Sequence, residues 1–97
     1  MAVAQFHWIC SYDICHPKRL VKIHQLLCML GIAINYSVFY LYLTQQQFQQ
    51  LIRQLKKIMH PDDDIRLYRC APLQSASVVG VLNPSGIHLI NAQGVLL

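Results

Sequence analysis

Ninety-seven residues leave room for one domain around one core, and a chain of this size buries only about 60 to 68% of the surface its unfolded form exposes. With 55% hydrophobic and only 12% charged residues, it carries more apolar material than such a monomer easily hides, so pairing with a second copy is expected. Eight Lys and Arg face four Asp and no Glu; the net charge of +4 favours an anionic partner, nucleic acid or a lipid surface, without choosing between them.

Residues 6–13 are aromatic and β-prone and end before Pro17, which predicts a central strand. Pro17 suits the first turn of a helix over residues 17–30, with Lys18, Lys22 and Gln25 on one side. Leu20, Ile23, His24 and Leu27 line the opposite side, and Gly31 ends the helix. Residues 32–43 are β-branched and aromatic, with a turn or bulge at residues 35–37, and read as a hairpin or two short strands. Thr44-Gln45-Gln46-Gln47 is a capping box that opens a second helix at about Gln45. Its apolar positions Phe48, Leu51, Ile52, Leu55, Ile58 and Met59 step by three and four, Arg53, Lys56 and Lys57 fall opposite, and Pro61 stops it. After the acidic turn at Asp62, Asp63 and Asp64, residues 65–70 form a short strand. Residues 71–77 read as a linker, and residues 78–82 and 87–90, separated by Asn-Pro-Ser-Gly, as a terminal hairpin or edge strands.

The predicted class is therefore α+β: a ferredoxin-like βαββαβ sandwich with an extra C-terminal β segment, its two helices on one sheet face. The bare opposite face is the expected homodimer surface. Residues 26–43 carry no charge and follow Lys18, Arg19 and Lys22, which raises a transmembrane reading. Asn35, Ser37 and Gly31 within the run, and its change from helix-forming to strand-forming residues, argue for helix then strand instead. No signal peptide fits the start of the chain, and Cys10, Cys15, Cys28 and Cys70 lack metal-ligand spacing. Reduced cysteines and a cytoplasmic location, with no membrane contact, are expected.

Asp13 is the one carboxylate outside the acidic turn, and at the end of an apolar strand it needs a compensating partner. It either caps the turn into the first helix, or meets its symmetry mate across a dimer axis to hold a hard cation such as magnesium. Such an ion could activate water or stabilise charge on a phosphate. Lys18, Arg19 and Lys22, with Arg53, Lys56 and Lys57, fall on one helical layer and would track phosphates through backbone and shape.

Tyr12-Asp13-Ile14, Arg19 and Lys22, Gly31, Asn35-Tyr36-Ser37-Val38-Phe39, Leu43-Thr44 and the acidic turn leading into Ile65-Arg66-Leu67-Tyr68 follow in one order. Across residues 8–70 the chain resembles the CRISPR-associated Cas-two family. That resemblance implies a homodimer that bridges the CRISPR integrase during spacer acquisition and binds duplex DNA. It also implies a magnesium-dependent endonuclease on RNA, including single-stranded RNA, or DNA. Asp13 would then be the catalytic, metal-binding residue, Tyr12 and Ser37 would support the active region, and Phe39 would lie in the core. Residues 1–70 would be the ferredoxin-like domain, with residues 71–97 a β-rich tail pairing with the partner protomer or the integrase. Tyr40 stands where many relatives carry an acid, and no second aspartate follows shortly after Asp13. A non-catalytic interaction module of toxin-antitoxin or regulatory type is the competing reading.

Overall fold

The computed structural model describes residues 3–77 and residue 79. The elements run β1 (Gln5–Asp13), α1 (Pro17–Leu30), β2 (Gly31–Asn35), β3 (Val38–Thr44), α2 (Gln45–Ile58) and β4 (Asp64–Arg69), then a 3-10 turn at Leu73–Ser75. The strands form one antiparallel sheet in the order β2-β3-β1-β4, with both helices on the same face. This is the expected α+β, ferredoxin-like arrangement.

Strand alternation decides which side chains meet the helices, because successive residues point to opposite faces. On β1 these are Trp8, Cys10 and Tyr12; on β3 they are Phe39, Leu41 and Leu43, directly opposite or one step along in register. Helix α1 adds buried Ile23 and Leu27, and α2 adds Leu51 and Leu55. Trp8 stacks on Phe48 of α2 with ring centroids 4.1 Å apart, fixing the second helix over the central strand. Burial raises the Cys10 thiol to about 11, so it sits in this core as a neutral, small hydrophobe.

The helix starts follow local chemistry. Thr44 accepts from the Gln47 N–H at 3.1 Å while Gln47 Oε1 accepts from the Thr44 N–H at 2.9 Å, the reciprocal box expected from sequence. At α1 the cap is His16, whose Nδ1 accepts from the Lys18 N–H at 3.1 Å, and not Asp13. Gly31 follows Leu30 without a loop and is extended (φ −160°) rather than left-handed. A Cβ there would strike the Tyr40 carbonyl oxygen and Leu41, so glycine serves close strand approach instead of a left-handed helix stop.

The uncharged run is divided between the end of α1, β2 and β3, and no helix among the described residues is long and apolar enough to cross a membrane. Residues 73–75 of the expected linker form a turn closed by Ser75 N–H to the Pro72 carbonyl at 3.0 Å. Apart from Val79, the predicted strands over residues 78–82 and 87–90 lie outside the described residues.

Candidate nucleic-acid interface and carboxylate site

Asp13 ends β1 on the face that the helices leave open, and it is exposed. Its carboxylate makes no hydrogen bond or ion pair among the described residues. Directly opposite in the β1–β4 register stands Asp64, the first residue of β4. Paired residues of an antiparallel ladder share a face with Cβ atoms about 4.5 to 5.5 Å apart, so two acidic side chains of one chain leave the sheet side by side here. Like charges placed so are locally destabilising. Arg66 offsets part of this, donating from Nε to both Asp64 oxygens at 3.1 and 3.3 Å. Among the described residues no group of three His, Cys, Asp or Glu could hold a metal. Two carboxylates with water suffice for magnesium, which keeps several waters of its own, so Asp13 and Asp64 fit that ion.

His16 caps α1, and the backbone N–H in the turn before it is satisfied by another acid, not by Asp13. Asp63 has a fully buried side chain and receives Arg19 in a two-pronged contact, Nε to Oδ2 at 2.8 Å and Nη2 to Oδ1 at 3.1 Å. The same carboxylate accepts from the Cys15 N–H at 2.9 Å and the His60 N–H at 2.8 Å. The Arg19 bonds, helped by the two backbone donors and opposed by burial, hold Asp63 well below the usual carboxylate range. Asp63 thus ties the turn after Asp13, the first turn of α1 and the α2–β4 turn together. Arg19, expected among the phosphate-binding residues, is committed to this pair, which raises its own basicity.

The other five expected cations, Lys18 and Lys22 on α1 and Arg53, Lys56 and Lys57 on α2, are exposed and have no ion-pair partner among the described residues. Leu26 and Ile58, on the two helices, share one shallow depression, so both clusters belong to a single layer. That layer lies across the sheet from Asp13. Arg69 is absorbed elsewhere, its guanidinium 4.2 Å above the Phe6 ring.

Tyr12 and Ser37 come together on the helix side, across the sheet from the Asp13 carboxylate. Ser37 has φ 56°, a left-handed pose that points its carbonyl at β1, where it accepts from the Tyr12 N–H at 3.0 Å. The Tyr12 hydroxyl lies 3.3 Å from His24 Nδ1. Burial pushes the Tyr12 phenol upward, with Cys10 and Cys28 adding to the effect and a bond to Ser37 opposing it.

Sequence reasoning missed the separate roles of Asp63 and Asp64, because it took residues 62–64 as one turn. The available signal was alternation: Asp64, Arg66 and Tyr68 share one face of β4, leaving Asp63 to the loop.

Comparison with known proteins gives a consistent result. The family model described as CRISPR associated protein Cas2 matches residues 6–77. The chain is 32% identical over 88 residues to a CRISPR-associated endoribonuclease Cas2 of Thermodesulfovibrio yellowstonii, covering 84% of this chain and 93% of the relative. A second such protein, from Chloroflexus aurantiacus, is 39% identical over 62 residues, 63% of this chain and 67% of the relative. A Cas2 crystal structure superposes with a TM-score of 0.73 at 25% identity, covering 90% of this chain and 99% of the other. A hypothetical protein from Thermus thermophilus also gives 0.73, at 29% identity, over 80% and 94% of the two chains.

Proposed function

The chain belongs to the CRISPR-associated Cas2 family, and from that premise we propose that it is a CRISPR adaptation protein that binds nucleic acid as a homodimer. In this reading it bridges the CRISPR integrase for spacer acquisition and hydrolyses phosphodiester bonds with magnesium. A CRISPR-associated role follows from membership, and the curated relatives are named endoribonucleases. The finer reading rests chiefly on one observation: Asp13 keeps an exposed, unpartnered carboxylate opposite Asp64, against the local cost of that pairing.

The two faces of the sheet divide the work. On the open face, exposed Tyr42 and Tyr68 and half-buried Ile9 and Tyr40 offer apolar and aromatic surface to a second copy. Such a dimer leaves the cationic layers of both chains outward for duplex DNA. Asp13 and Asp64 would hold the magnesium ion. The bound ion supplies Lewis acidity toward a phosphate oxygen and a more acidic water. Asp63 and Arg19 fix the backbone at Cys15, two residues after Asp13.

Two measurements test this. Asp13→Asn should abolish magnesium-dependent cleavage of single-stranded RNA and of DNA while the sedimentation coefficient and duplex affinity stay unchanged; cleavage at the wild-type rate removes Asp13 from the chemistry. Duplex affinity should fall linearly on a log–log salt plot, with a slope of about −0.9 per phosphate contacted. A flat response would favour the non-catalytic interaction module.

A further inference from the structure

We propose that the groove between α1 and the β2–β3 turn is a nucleobase pocket that receives one unstacked base of a single-stranded nucleic acid. The inference deepens the nucleic-acid-binding reading above and rests on it. The groove encloses about 530 Å³, within the range of roughly 300 to 1,000 Å³ typical of small-ligand sites. Tyr12, Val21, His24, Gln25, Asn35 and Tyr36 line it, with Phe39 at its floor.

Three features select this occupant. Aromatic surface faces the groove from both sides: exposed His24 on α1, held edge-on against the buried Phe39 ring at 5.5 Å, and exposed Tyr36 on the β2–β3 turn. Such surfaces stack on any base, because every base has a π face. Two side-chain amides on the lining keep hydrogen-bonding capacity. Asn35 uses its Oδ1 to accept from the Tyr36 N–H at 2.8 Å, which leaves its NH₂ group to donate, and the Gln25 amide has no partner among the described residues. A wholly apolar occupant would strip water from both amides without replacing its hydrogen bonds, whereas the edge of a base replaces them. Finally, Lys18 and Lys22 lie beside Val21 and Gln25 around the helix, at 100° per residue, so cations flank the groove where a backbone phosphate would lie.

A base within a duplex cannot enter, since its edge is paired and its faces are stacked. The pocket therefore reads single strands, while the helical layer serves duplex. Tyr12 directly precedes Asp13 on β1 and points to the other face, so the base site and the carboxylates share one end of the sheet.

Fluorescence anisotropy with a short single strand, its fully abasic counterpart and a duplex tests the inference. The wild type should bind the base-bearing strand roughly fivefold or more tighter than the abasic one. Val21→Trp, at an exposed position, should fill the groove and erase that difference while duplex affinity stays within about twofold. Equal binding of both single strands by the wild type overturns the pocket, as does an equal loss for both strands in Val21→Trp. A second readout needs no variant: the side-chain amide resonances of Gln25 and Asn35 should shift with a nucleoside monophosphate and not with ribose phosphate. Unmoved resonances overturn the pocket too. Retained duplex binding beside a failed base effect removes the pocket alone; loss of all three ligands removes the nucleic-acid reading with it.

Discussion

The two faces of the sheet obey different rules although they alternate along the same strands. The helix face is filled by Cys10, Phe39, Leu41, Leu43, Ile23, Leu27, Leu51 and Leu55, each almost fully buried. The open face mixes Ile9, Tyr40, Tyr42 and Tyr68 with His7, Ser11, Arg66 and the Asp13–Asp64 pair. Its side chains include pairs that bond to each other, as His7 and Tyr40 do, and its rings stack in the open, His7 on Tyr42 at 4.6 Å. The helix face carries the core, and the open face is where the proposed function puts the dimer contact and the carboxylates. Two acids directly opposite each other cost stability locally, and Arg66 offsets part of that cost.

That division can be broken experimentally. Leu27→Ala removes a fully buried side chain from the helix face and should cost about 2 to 5 kcal/mol in urea unfolding; a cost below about 1 kcal/mol would mean that the core relaxes more freely than its packing indicates. Asp63→Asn should destabilise less, and its effect should depend on pH. The native carboxyl lies below its ordinary value of 3.8, so the stabilisation is fully present above that value and is lost as pH falls through the lower native one. The gap between wild type and variant should therefore be constant from neutral pH to about pH 5 and shrink only in stronger acid. A gap that closes near pH 6 would contradict this account of the Asp63–Arg19 pair. Smallest in stability is Tyr42→Arg on the open face, expected within about 0.5 kcal/mol. In sedimentation the same change should shift the proposed dimer toward monomer, and an unchanged dimer would move the interface off this face.

Local signals exposed most of the fold. The Thr44 capping box, the apolar stripe of α2 and the β-rich run on either side of Tyr36 and Ser37 are short-range patterns, and the structure follows them closely. On α1 the pattern was less decisive: Ile23 and Leu27 are buried as expected, but Leu20 and His24 turn to the side groove. An amphipathic stripe gives a direction without giving the edge of what covers it. The candidate site was only half legible. Asp13 stood out because a charge ending an apolar strand is conspicuous, whereas Asp62, Asp63 and Asp64 looked equivalent.

The chain by itself determined the order of strands and helices, the basic helical layer and the oddity of Asp13, since these follow from periodicity, capping and charge. Tertiary structure alone decided that Asp63 is buried under Arg19, that Asp64 faces Asp13, and that Tyr12, His24 and Asn35 border one groove. Each of those relations joins residues from different elements, and only strand register and helix docking bring such residues together.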